Sequence, residues 1–277
     1  MGFSAVYPVP ESTVATAVML VIVGTAGLSV YLLAYRPTGG RATWGISEIA
    51  AVTILFLVTL PLVALLAGVG IPLNLADLTV VMLAQNVLLV GMPAYVVTVR
   101  YRRPLEALGL RADGWPQHAL LGLAAGAVTT LVFNSGEQVV VYLFGLVEGA
   151  EQAAARAAAE HLADPLRPLL SNLTSTPSLV WLLVLLAVVV PIGEEVFFRG
   201  FVYGGLRARW GITVAVLASA GFFAVVHRQL VHGVLIFLLG VVLALLYERT
   251  RSLVPAVVTH ALTNILAVVS IWRGWGI

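Results

Sequence analysis

The chain has 277 residues, 60% of them hydrophobic and only 10% charged, where a soluble domain carries about a quarter charged residues. Several apolar runs reach the roughly 18 residues that a membrane crossing needs; this excludes a soluble globular enzyme and reads as an all-α, polytopic membrane protein with a single membrane domain. The net charge of +2 comes from scattered arginines and gives no basic face for nucleic acid, and the lack of cysteine excludes disulfide and thiolate chemistry.

Eight spans are predicted in chain order, at 12–35, 47–68, 77–99, 117–147, 179–206, 213–230, 232–248 and 254–271. The opening MGFSAVYPVPE has no basic residue ahead of the first run, so span 1 reads as a retained anchor and not a cleaved signal. RPTGGR, GVGIPLN and RYRRPLEALGLRADGWP follow spans 1, 2 and 3 with the Gly and Pro punctuation expected between helices. Span 3 carries Gln85 and Asn86. Span 4 is too long to cross a hydrocarbon core of about 30 Å straight, so it is expected to tilt or to continue outside the lipid. It carries Asn134, Ser135, Glu137 and Gln138, with Glu137 the leading secondary candidate for function beside a packing role. EGAEQAAARAAAEHLADPLRP then reads as a surface helix stopped by proline, either a solvated connector or a lid.

The remaining polar residues within spans are few. Span 5 holds PIGEEVFFRG, with Glu194, Glu195 and Arg199. Span 6 ends in FFAVVH, with Phe223 one turn before His227, and span 8 holds HALTN, with His260 and Asn264 at i and i+4. The glycines of GFFAVVH and GVLIFLLG are expected to let helices approach closely. His232 reads as the outer end of a helix, His118 and His161 as surface residues, and Glu248 as a boundary residue beside Arg249 and Arg251. Counting loops, eleven of the fifteen arginines fall on one side. That places both termini outside and the arginine-rich loops, including the connection that carries Arg199, in the cytoplasm. No internal repeat is visible, which disfavours a transporter.

A charge inside a span costs at least about 2.5–3.5 kcal/mol and is expected to face a wet cavity or the bundle interior. Glu195 and Arg199 share one helix face and can pair. Glu194 lies about 100° away and is left unpaired. One glutamate is then scaffold, and the other faces a reactant as a candidate general base. A structural ion pair at a membrane boundary explains the same three residues. Together with the imidazoles of His227 and His260 and the amide of Asn264, Glu194 makes a set suited to hydrolysis: a base for water and donors for an oxyanion.

In this order, E-E-x-x-x-R, F-x-x-x-H and H-x-x-x-N resemble the CPBP family of intramembrane proteases, which includes the type II CAAX prenyl endopeptidases and the bacterial Abi proteins linked to bacteriocin processing and self-immunity. The resemblance covers residues 179–271, with 1–150 as N-terminal helices and 151–178 as connector. It implies an intramembrane endopeptidase acting on membrane-anchored or hydrophobic, CAAX-type substrates in a bacterial plasma membrane, with membrane lipid as its surroundings and no nucleic acid. It implies Glu194 as general base with His227 as its partner, His260 and Asn264 as the oxyanion site, and Glu195 and Arg199 as support. A Zn2+ or other divalent metal held by Glu194, His227 and His260 is the alternative to a metal-free mechanism, and the residues do not decide between them. An immunity protein that only binds a partner, and a proton-coupled transporter, are the rival functions.

Overall fold

The structure is a computed structural model that describes residues 43–70, 73–164, 166–173 and 175–273, with residues 27, 29 and 30. Predicted span 1 lies outside these, apart from those three residues, as does the side chain of Asn134. The described chain is a helical bundle with no strand: α1 Ile46–Leu66, α2 Leu75–Tyr95, α3 Trp115–Glu148, α4 Ala150–Ala163, α5 Leu166–Ser171, α6 Thr176–Val226, α7 Val231–Thr250 and α8 Val254–Arg273. Six helices among the described residues are long and apolar enough to cross a membrane: α1, α2 continued to Arg100, α3 over Trp115–Phe133, α6, α7 and α8. The chain is an integral membrane protein.

Predicted spans 5 and 6 are one helical stretch of 51 residues. It breaks where Gly211 takes φ 76° and ψ −176°, a conformation open to glycine, which divides α6 into two arms. The first arm is not regular. Leu185–Val189 and Val196–Tyr203 are π-helical, with a short α-helical piece, Val190–Glu195, between them. Pro191 accounts for the first irregularity. In the widened register Val190 N–H donates to the Leu185 carbonyl, and the next donor would be the N–H that Pro191 lacks. The Leu186 carbonyl is therefore left over, and Asn264 of α8 donates to it at 2.8 Å. A sequence defect in one helix thereby becomes a tie to another.

Small residues set the close crossings. A Cβ at Gly240 of α7 would meet the Ala220 backbone of α6 at 3.0 Å, and one at Gly122 of α3 would meet the Pro255 carbonyl of α8 at 2.7 Å. Gly240 therefore does what was expected of it, whereas Gly221 and Gly233 have nothing within 4 Å and make no such contact. The expected loop position of Arg199 is also corrected. It is 1% exposed, inside the bundle on Glu195, because the first arm of α6 continues helically past it. Arg100 is likewise buried, on Glu48. Glu248, near the C-terminal end of α7, holds Arg207 of α6 at 2.6 Å and Arg251 at 2.7 Å.

The alanine-rich α4 folds back along α3. Ala153 and Ala157 are buried, and Ala157 packs with Val140 of α3 and Val231 and Leu235 of α7. Its Glu160 caps the N-terminus of α7, accepting from the N–H groups of Leu230, Val231 and His232 at 2.7, 2.9 and 3.1 Å. Those are the donors a helix start leaves unpaired. Burial pushes the Glu160 carboxyl up, but the hydrogen bonds from Val231, His232 and Leu230 outweigh it and hold it below its ordinary value. The segment is a helix docked through one alanine face, with most of its other residues exposed.

Candidate active site

The polar residues of the first arm of α6 meet those of α8 in the interior. Glu195 is fully buried. Arg199 Nη1 donates to its Oε1 at 3.1 Å, and His260 Nδ1 lies 2.9 Å from the same oxygen. The Arg199 guanidinium also stacks over the Phe223 ring, 4.4 Å from its centroid. The Glu195 oxygen that takes the Arg199 hydrogen accepts from His260 as well. His260 therefore presents a hydrogen at Nδ1 to Glu195, and its Nε2 faces Glu194.

Glu194 is in the position expected of the unpaired glutamate. It makes no contact with Arg199 and keeps 12% of its side chain exposed. Its Oε2 lies 3.8 Å from His260 Nε2, beyond hydrogen-bond distance, and Gln85 Nε2 of α2 donates to its Oε1 at 3.4 Å. Two acceptors therefore face each other across a gap that a water donating to both would satisfy. Gln85 brings the N-terminal half into the site. A Cβ at Gly193 would meet Asn86 Oδ1 at 2.4 Å, so the glycine before Glu194 is what allows α2 to lie this close.

His227 stands apart. It ends the second arm of α6, where Arg228 takes φ 58° and closes the helix with a left-handed residue. It is exposed, and its Nδ1 lies 2.6 Å from the Phe223 carbonyl, so Nδ1 carries the hydrogen and Nε2 is free. Its ring packs on Phe223 at 4.7 Å, and His260 packs on the same ring at 5.7 Å. Phe223 thus stands between the two imidazoles, and His227 makes no ion pair with either glutamate. Asn264 uses one amide hydrogen on Leu186, leaving the other.

The structure thus brings Glu195, Arg199 and His260 into direct contact, with Glu194 facing His260 across 3.8 Å. It adds Gln85, sets Asn264 one turn further along α8, and keeps His227 across Phe223. The donor atoms of Glu194, His227 and His260 do not all come within 4.8 Å of one another, so these three do not form a ready ligand set for a metal ion.

Comparison with known proteins falls on this same region. Residues 176–266 match the family described as type II CAAX prenyl endopeptidase Rce1-like. The protein named "Putative membrane peptidase YdiL" of Bacillus subtilis is 31% identical over 88 residues, which make up 32% of this chain and 36% of that protein. The chain spans about a third of the length of this curated relative. No solved structure matches it.

Proposed function

We propose that the chain is an intramembrane endopeptidase that hydrolyses peptide bonds in hydrophobic or membrane-anchored substrates with a water activated by Glu194. The observation that carries this reading is the paired arrangement of Glu194 Oε2 and His260 Nε2, two acceptors 3.8 Å apart, with His260 fixed from behind by the Glu195–Arg199 pair. The match to the CAAX endopeptidase family over residues 176–266 supports it.

In the proposed reaction a water donates one hydrogen to Glu194 and the other to His260. Glu194 takes the first proton, and the hydroxide oxygen bonds to the carbonyl carbon of the scissile peptide. The negative charge passes to the carbonyl oxygen, for which the second amide hydrogen of Asn264 is a neutral donor. The C–N bond then breaks, and the proton held by Glu194 goes to the leaving nitrogen, so one carboxyl and one amine product form. His227, with Nε2 turned outward, relays protons between this site and the outside. The donor atoms of Glu194, His227 and His260 are too far apart to share one metal ion as they stand. The substrates are amphiphiles delivered through the bilayer, of which prenylated CAAX termini are one class. We read the arginine-rich loops as the cytoplasmic face of a bacterial plasma membrane.

The test is cleavage of a panel of hydrophobic peptides by purified chain in detergent. Glu194→Gln and His227→Ala should each lose at least about 10²-fold in kcat, the low end for removal of an acid–base group, while keeping the thermal unfolding of wild type. Unchanged turnover in both variants rejects the reading.

A further inference from the structure

A second polar cluster lies outside the hydrolytic centre. Glu137 of α3, His161 of α4 and His232 of α7 converge beside a cavity of about 350 Å³. His161 Nε2 lies 2.8 Å from Glu137 Oε1, and His232 Nε2 lies 3.3 Å from Glu137 Oε2. The two imidazoles pack edge to face at 4.6 Å. One ligand atom from each of the three residues lies within 4.8 Å of the others, and all three side chains are half-buried. The reaction above uses none of them.

We propose that Glu137, His161 and His232 bind a divalent transition-metal ion, with zinc the cation whose preferences fit best, and that the ion fastens α4 onto α3 and α7. Two imidazole nitrogens and one carboxylate are a common zinc donor set, and three protein ligands leave a fourth position open. At zinc–ligand distances of about 2.0–2.2 Å, tetrahedral ligand atoms sit roughly 3.4 Å apart. The 3.3 Å gap from His232 to Glu137 Oε2 already has that spacing, while His161 sits 2.8 Å from the other oxygen, Oε1, and has to draw back from it by about half an ångström to reach that spacing.

What sets this cluster apart from ordinary hydrogen bonding is the support behind His232. Its Nδ1 lies 3.0 Å from Glu160 Oε2, and Glu160 is itself fixed by three backbone N–H groups at the start of α7. Glu160 accepts, so Nδ1 carries the hydrogen and the Nε2 lone pair points at Glu137. This carboxylate–imidazole relay orients ligands at metal centres. It also sets His232 Nε2 3.3 Å from Glu137 Oε2, a contact that a proton or a bound cation between them satisfies. His161 is the ligand that must adjust. Arg167 Nη2 lies 2.6 Å from its Nδ1, and a guanidinium only donates, so the ring hydrogen is on Nε2, toward Glu137. Ligation by Nε2 displaces that proton and releases Arg167, for which Asp164 on the same cavity wall is an acceptor. All three residues line the cavity, which would give an ion a way in.

The experiment uses the full chain, purified in detergent, stripped with a chelator, dialysed and titrated with Zn2+, with bound metal measured by elemental analysis and calorimetry. Wild type should bind one equivalent and gain thermal stability from it. His232→Ala and Glu137→Gln should each weaken binding by at least 10-fold, and Glu160→Gln by about 10–100-fold, the usual effect of removing a group that orients a ligand. Glu194→Gln should bind as wild type does. Should His232→Ala fail to fold, His161→Asn on the peripheral α4 carries the same expectation. A wild type that binds no zinc, binding indifferent to changes at Glu137 and His232, or binding lost in Glu194→Gln overturns the proposal.

Discussion

At the scale of single residues, the centre depends on how Glu195 and Arg199 compensate each other. Both are essentially without solvent, at 0% and 1% side-chain exposure, so the attraction between them has to offset the loss of hydration for each. Removing one partner leaves the other charge buried alone. Arg199→Met should therefore destabilise the protein by about 3–5 kcal/mol, seen as lower thermal stability in detergent. Glu194, which is not in that pair, should tolerate Gln with almost no loss of stability. A catalytic defect without unfolding at 194, beside unfolding at 199, is the signature of one glutamate as reactant and its neighbour as scaffold. Equal destabilisation at both positions would contradict this division. The pairing was legible in the sequence because i and i+4 on a helix face each other whatever surrounds them, and so was the shared face of Phe223 and His227, whose rings meet edge to face. The sequence grouped His260 with Glu194, but its hydrogen bond to Glu195 was not legible, since 65 residues separate the two and only the crossing of α8 over α6 decides it.

At the scale of elements, the irregular first arm of α6 and the docked α4 are the two features that position side chains. The widened turns around Val190–Glu195 let both glutamates project inward, and Asn264 satisfies the carbonyl that Pro191 leaves without a donor. Asn264→Leu should cost about 1–3 kcal/mol, the penalty for a buried acceptor left unpaired. It should also raise hydrogen exchange in residues 185–195 more than elsewhere, and uniform exchange would argue against a local tie. Glu160→Gln weakens the cap on α7 in the same way, and faster exchange in α4 than in α8 is the expected result. The predicted limits 179–206 and 213–230 bracket Gly211, where the two arms of α6 part, but hydropathy does not register the widened turns around Pro191, because a π-helical turn buries the same apolar residues as an α-helical one. The docking of α4 was hidden for a different reason. An alanine stripe at 153 and 157 is too small to stand out as an apolar face, and His161 therefore read as a surface residue. Its partners, Glu137 at 24 positions' distance and the Glu160–His232 contact across 72, come together only once that stripe has packed.

At the scale of the whole molecule, lipid takes the place of water as the solvent, and this changes what exposure means. In the most apolar windows of α1 and α2 only 22% of residues are buried within the protein, and in α3 17%, against 50% in α6 and in α7. The tightly packed part of the bundle is thus the C-terminal half, which holds the glutamates and His260, while the N-terminal helices turn most of their surface to hydrocarbon and reach the site through Gln85 and Asn86. Lipid tails are as apolar as leucine, so such helices are held by close packing and polar ties more than by any hydrophobic drive. Two leucines separate the lipid from the aqueous surface. Leu57, mid-way along α1, is 57% exposed, and Leu162 on α4 is 86% exposed. If exposure alone mattered, Arg would be tolerated at least as well at 57 as at 162, since neither side chain is packed away. If α1 crosses a bilayer, Leu57→Arg places a guanidinium in its hydrocarbon and should cost at least about 2.5–3.5 kcal/mol of insertion free energy, while Leu162→Arg, outside the spans, should be close to neutral. Insertion scored by glycosylation-site mapping in microsomes reads the difference directly, and equal insertion of both variants would remove α1 from the membrane.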